Sequence, residues 1–143
     1  MAASAQDREQ IAAVIEQYRR GFATMDVEAL TAIWDQDYDN IIYIPQERPQ
    51  PVRGWVGVEH YSVAELFDRV RTMTVRDVSV DVFGDVAYAY CIFHFEGEMH
   101  GKRHIADGRN TFLLRRSRGS WKVIHYHESH PGPVPMTAEG ASR

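Results

Sequence analysis

Apolar residues recur at spacings of three and four early in the chain. Ile11, Val14, Ile15, Tyr18 and Phe22 fall on one stripe, which predicts a helix over residues 7–24. Asp26 can cap a second, shorter helix that carries Leu30, Ile33 and Trp34. "NIIYI", 40–44, reads as a strand that stops at Pro45, and the prolines of "PQERPQPVRG" make 45–54 a loop. Val58, Tyr61, Leu66, Phe67 and Val70 predict a third helix over roughly 56–71.

From there the period changes to two. "TVRDVSVDVF" (74–83) and "VAYAYCIFHF" (86–95) flank a Gly84-Asp85 turn, and "GRNTFLLRR" (108–116) and "SWKVIHYHES" (120–129) flank "SRG". "EMHGKRHIADG" (98–108) is polar and reads as a loop. Helices followed by a long antiparallel meander imply an α+β domain, with helices over one face of a bent sheet. Residues 86–95 are apolar on both alternating sets. One set is Val86, Tyr88, Tyr90 and Ile92; the other is Ala87, Ala89, Cys91, Phe93 and Phe95. An antiparallel sheet with one wet face alternates. Here both faces want cover, and a second copy of the chain is the simplest cover for the face that the helices leave bare.

Composition narrows the function classes. The 143 residues are 44% hydrophobic and 25% charged, with a net charge of −4 and a pI near 5.9. Such a chain suits one domain with one core and lacks the basic stripe that nucleic acid requires. One cysteine, Cys91, permits no internal disulfide and suits a reducing compartment. No apolar run is long enough to span a membrane, and "MAASAQDREQ" has no leader pattern. A cytoplasmic protein is therefore expected. Residues 1–6 and 132–143 read as flexible ends around a domain at 7–131.

The chemistry concentrates in the last strand. If "SWKVIHYHES" alternates regularly, Trp121, Val123, His125, His127 and Ser129 share the covered face. Lys122, Ile124, Tyr126 and Glu128 share the other, which makes Ile124 and Tyr126 expected dimer contacts. His125 and His127 then line a cavity. They serve as acid–base groups, or as hydrogen-bonded structural residues. H-x-H can also bind zinc. His94, His100, His104 and His130 are in supply, but no histidine-plus-carboxylate spacing supports a site, so no metal is expected.

"GSWKVIHYHESHPGP" resembles the last strand of SnoaL-like domains in the nuclear transport factor 2 / ketosteroid isomerase superfamily. The pattern W-x-[IV]-[IV]-H-x-H-x-S is met by Trp121, His125, His127 and Ser129, after the basic pair Arg115 and Arg116. The likeness extends to "IAAVIEQYRRGFATMDVEALTAIW" and to "PVRG" before the third helix. The association domain of calcium/calmodulin-dependent kinase is similar over the same stretch. The "HYHESHPGP" ending and the chain length are similar to small stand-alone members encoded with enediyne polyketide antibiotics, the SgcJ type.

The resemblance implies a cone, with a bent antiparallel sheet wrapped around three helices and an interior pocket. It places Tyr18 and Asn110 where an enolate oxygen is held. It also implies a proton-moving acid near the end of the first strand, and "NIIYIP" has none, so His125 or His127 would have to replace it. With Tyr18, the aromatics Trp34, Tyr43, Trp55 and Tyr61 are expected to line the pocket around a hydrophobic small molecule, although Trp34 also suits the core. The function implied is a cofactor-independent cyclase, isomerase or dehydratase of natural-product biosynthesis. The alternative is a non-catalytic binding or oligomerisation module.

Overall fold

The computed structural model describes residues 4–133 and residue 136. The expected flexible tail therefore lies largely outside the described residues, as do residues 1–3. Helix α1 (Ala5–Thr24) starts two residues earlier than the periodicity predicts, because Ser4 accepts a hydrogen bond from the Asp7 N–H at 3.0 Å and caps it. It ends at Met25, whose φ of 54° is left-handed. Asp26 then caps α2 (Val27–Ala32) through the Ala29 N–H.

The rest is one six-stranded sheet. Its strands are β1 (Ile42–Ile44), β2 (Val52–Arg53), β3 (Arg69–Phe83), β4 (Val86–Met99), β5 (Lys102–Ser117) and β6 (Ser120–Ser129). They lie in the order β2-β1-β6-β5-β4-β3. The α+β class is as expected, with two refinements. Strand β1 runs parallel to β6, so the sheet is mixed rather than purely antiparallel. The helices among the described residues number four, not three. The expected third helix breaks into α3 (Gly54–His60) and α4 (Val63–Leu66), and Ser62 caps the second piece. Val70, placed in that helix by its spacing, belongs to β3 instead.

The segment 98–108 is also corrected. It is a tight hairpin, not a loop. His100 and Gly101 both take positive φ, 54° and 75°, which joins β4 to β5 in two residues. Register shifts in β3, between Val70 and Thr72 and between Arg76 and Ser79, bend the sheet around α1. The concave face carries Ala87, Ala89, Cys91, Phe93 and Phe95 from β4, and Phe112 and Leu114 from β5. They pack on Ile11, Ile15 and Tyr18 of α1. Each large apolar side chain buried there contributes about 1.5–3 kcal/mol against exposure. Tyr88, Tyr90 and Ile92 lie on the convex face, half-buried. Among the described residues no helix is long and apolar enough to cross a membrane.

Candidate functional site

A β-bulge decides what the last strand offers. Leu114 pairs with Val123 and Leu113 with His125, so Ile124 is an extra residue. Val123 and Ile124 are both buried. Beyond them the alternation is displaced by one. Trp121 and Val123 face inward, and then so do Tyr126 and Glu128. His125 and His127 point to the convex face, opposite Ile42 and Ile44 on one side and Leu113 and Thr111 on the other.

This corrects two expectations. His125 and His127 do not line the cavity, and Tyr126 is no dimer contact, being 1% exposed in the core. The imidazole centroids are 6.4 Å apart. Partial burial and the neighbouring His127 both lower the His125 pKa.

The inner end of β6 opens on a cavity of about 280 Å³. Its walls are largely aromatic and aliphatic: Tyr18 and Phe22 from α1, Tyr43 from β1, Phe67, Met73, and Phe93 and Phe95 from β4. The polar lining is Gln46, Glu47, Tyr61, His104 and Glu128. A smaller space of about 50 Å³ adjoins it behind Tyr18, Phe22, Tyr43 and Tyr61, and Trp34 and Tyr126 are in its wall.

Glu128 is 8% exposed. Burial raises its carboxyl pKa to about 7. Hydrogen bonds from the Tyr126 hydroxyl and from the Gln46 N–H (2.9 Å) pull the other way, and Glu47 adds to the rise. Tyr126 in turn accepts from Asn110 Nδ2 at 3.0 Å and from the Tyr18 hydroxyl at 2.8 Å. Burial and the Glu128 charge raise the Tyr18 and Tyr43 pKa values, so both remain neutral phenols. The Tyr61 hydroxyl donates to Glu47. Gln46 is part of the cavity wall, and its Oε1 is buried without a hydrogen-bond partner among the described residues.

The other expected residues divide. Tyr18 and Tyr43 line both spaces, and Trp34 stacks on Tyr43 at 5.7 Å while lining the smaller one. Asn110 is 1% exposed and lines neither. Its Oδ1 accepts from Cys91 Sγ at 2.8 Å, and its amide is spent on Tyr126 and Tyr18. Trp55 is half-buried against the core and lines neither space. Burial pushes the Cys91 thiol up to about 12, which makes it inert. Among the described residues no three His, Cys, Asp or Glu side chains stand together as a metal site.

Sequence reasoning found Tyr61 as a lining aromatic and missed Glu128, Tyr126 and Glu47. The adjacent apolar pair Val123-Ile124, in a strand that otherwise alternates, is the one mark of the bulge. The site can hold a carboxyl near its midpoint of titration at neutral pH, against an apolar chamber. That is the requirement for moving a proton to and from a carbon acid.

Several solved structures share this architecture. A candidate dehydratase of the NTF2-like family from Streptomyces avermitilis superposes with a TM-score of 0.77 at 19% identity, covering 91% of this chain and 100% of that one. A ketosteroid isomerase-like protein from Erwinia carotovora atroseptica gives 0.71 at 22%, covering 91% and 100%. A candidate calcium/calmodulin-dependent protein kinase II association domain from Xanthomonas campestris gives 0.69 at 17%, covering 87% of each. At these identities the likeness is one of fold. No curated protein matches the chain. The family model of the SnoaL-like domain matches residues 11–133, and the chain belongs to that family.

Proposed function

We propose that this protein is a cofactor-independent acid–base enzyme acting on a small apolar molecule, with Glu128 as the group that moves the proton. One observation carries the reading: a buried carboxyl with no cation paired to it among the described residues faces a chamber of about 280 Å³, and burial pushes its pKa up to about 7. As carboxylate, Glu128 takes a proton from a carbon next to a carbonyl. Its protonated form returns that proton to another carbon, which isomerises the substrate, or to a departing hydroxyl, which dehydrates it. Tyr126 holds the carboxyl in place. Tyr18 reaches an oxyanion only by turning its hydroxyl hydrogen from Tyr126 to the ligand.

The reaction test uses enolisable ketones in D2O, with α-proton exchange followed by NMR. The wild type accelerates exchange, and Glu128→Gln lowers the rate by about a hundredfold or more while the fold holds. Equal rates in the two proteins would remove Glu128 from the chemistry.

The aromatic wall suits a polyketide-like intermediate. The similarity of the "HYHESHPGP" ending to enediyne-associated proteins supports a place in antibiotic biosynthesis, in the cytoplasm. A homodimer through the convex face completes the proposal. Its contacts are Tyr88, Tyr90 and Ile92, in place of Ile124 and Tyr126. Tyr90→Glu would bury a charge there and halve the mass seen by light scattering. The likeness to a kinase association domain supports an assembly module as the second reading. An assembly that forms without any proton exchange would favour it.

A further inference from the structure

The two glycines on the concave face stand under the two aromatic rings that floor the cavity. Gly108 of β5 lies opposite Phe93 of β4. A Cβ built on Gly108 would overlap Cε2 and Cζ of the Phe93 ring, and the three atoms nearest to it all belong to that ring. A Cβ on Gly97 would stand 2.8 Å from Cζ of Phe95 and 3.0 Å from the Arg69 carbonyl oxygen. Both rings face the cavity. They lie low because nothing projects from the glycines beneath them.

We propose that Gly108 sets the depth of the cavity, and through it the size of ligand admitted: flat molecules of two or more fused rings rather than one. The inference rests on the cavity being the ligand site. Side chains on this face leave the sheet nearly at right angles. A methyl at position 108 therefore lifts the far end of the Phe93 ring away from β5, which is into the ligand space. The ring tip is flexible, so the change is absorbed there and not in the backbone. Position 97 is a poorer test, because the Arg69 carbonyl cannot give way as a ring can. Depth matters here because about 280 Å³ lies at the lower limit of ligand pockets, roughly 300–1,000 Å³. A ring raised by one methyl removes the place of a second fused ring.

The experiment compares binding of phenol and 2-naphthol to the full chain by calorimetry, with a crystal structure of Gly108→Ala. The wild type is expected to prefer 2-naphthol by about tenfold or more, since the second ring buries further apolar surface. Gly108→Ala should keep phenol binding within about twofold, lose most of the preference and show the Phe93 ring raised. Adding Phe93→Leu to Gly108→Ala should restore the preference. A preference unchanged in folded Gly108→Ala, or a Phe93 ring unmoved in its crystal, overturns the proposal. If Gly108→Ala does not fold, Phe93→Leu alone decides: it should deepen the chamber and raise the naphthol preference, and no change overturns the proposal. If neither phenol nor 2-naphthol binds the wild type, the ligand-site reading falls. Gly108 is then judged by the crystal alone, where an unmoved ring again overturns its role in setting depth.

Discussion

Two buried carboxyls, Asp35 and Glu128, sit at opposite ends of the sheet and have different company. Asp35, 3% exposed, accepts from Arg115 Nε and from the Asp37 N–H at 3.1 Å. Close by, Asp7 accepts from Trp121 Nε1 at 3.2 Å and pairs with Arg116 at 3.0 Å, which holds its carboxyl down at about 2. This end, which carries the β3–β4 and β5–β6 turns, is fastened by charge against charge. Glu128 is almost as buried, but its partners are a phenol and a backbone N–H. The same side-chain chemistry serves as a clamp where a guanidinium answers it, and stays open to titration near neutral pH where none does, which is what the proposed function asks of Glu128.

The largest effect should come from breaking the clamp. Arg115→Met leaves Asp35 buried with a backbone N–H as its remaining donor, and should lower the midpoint of a denaturant titration more than any other change named here. A loss under 1 kcal/mol would mean that the pair is held as loosely as a surface bridge.

Stability against pH distinguishes the two ends by sign. Below about pH 4.5, Glu128 is protonated in both folded and unfolded chains. Between pH 4.5 and about 7 the unfolded carboxyl ionises and the folded one does not. Its contribution to stability therefore falls by roughly 3 kcal/mol as pH rises through that window, then levels off. Glu128→Gln should flatten this slope, and Tyr126→Phe should move its upper limit higher by removing a hydrogen bond to the carboxylate. Asp7 acts oppositely: its stabilisation is present above pH 3.8 and is lost as pH falls through about 2. Equal slopes for wild type and Glu128→Gln between pH 4.5 and 7 would erase the distinction.

The smallest effect sharpens it. His127→Asn lies on the convex face and should change the ketone exchange rate by less than about twofold. A hundredfold fall in a well-folded variant would return the histidines to the chemistry.

Most of the fold is legible in the periods of the sequence. The stripe Ile11–Ile15–Tyr18 finds the central helix, and the two-sided apolar run at 86–95 finds the middle of the sheet. The errors share a cause: local pattern overruled by tertiary pairing. Val70 keeps helical spacing with Phe67 but is taken by the ladder to β4. His100-Gly101 looks like loop chemistry and is a hairpin turn, because Gly97–Met99 and Lys102–His104 find each other. In the site, Tyr18 and Tyr43 are legible as aromatics on elements that face inward. Glu128 is not, since its direction depends on one unpaired residue five positions after a turn.

That unpaired residue has a genetic consequence. Loss of the codon for Ile124 alone would leave Tyr126 and Glu128 facing α1, since Leu114 already meets Val123 and Leu113 already meets His125. Loss of the codon for Tyr126 or His127 instead would put Glu128 out of phase, turning the carboxyl to the convex surface. A one-residue deletion at the bulge, of Val123 or of Ile124, therefore keeps the acid in its chamber. At Tyr126 or His127 a three-nucleotide deletion replaces the chemistry of the lining in one step, without a single amino acid being exchanged.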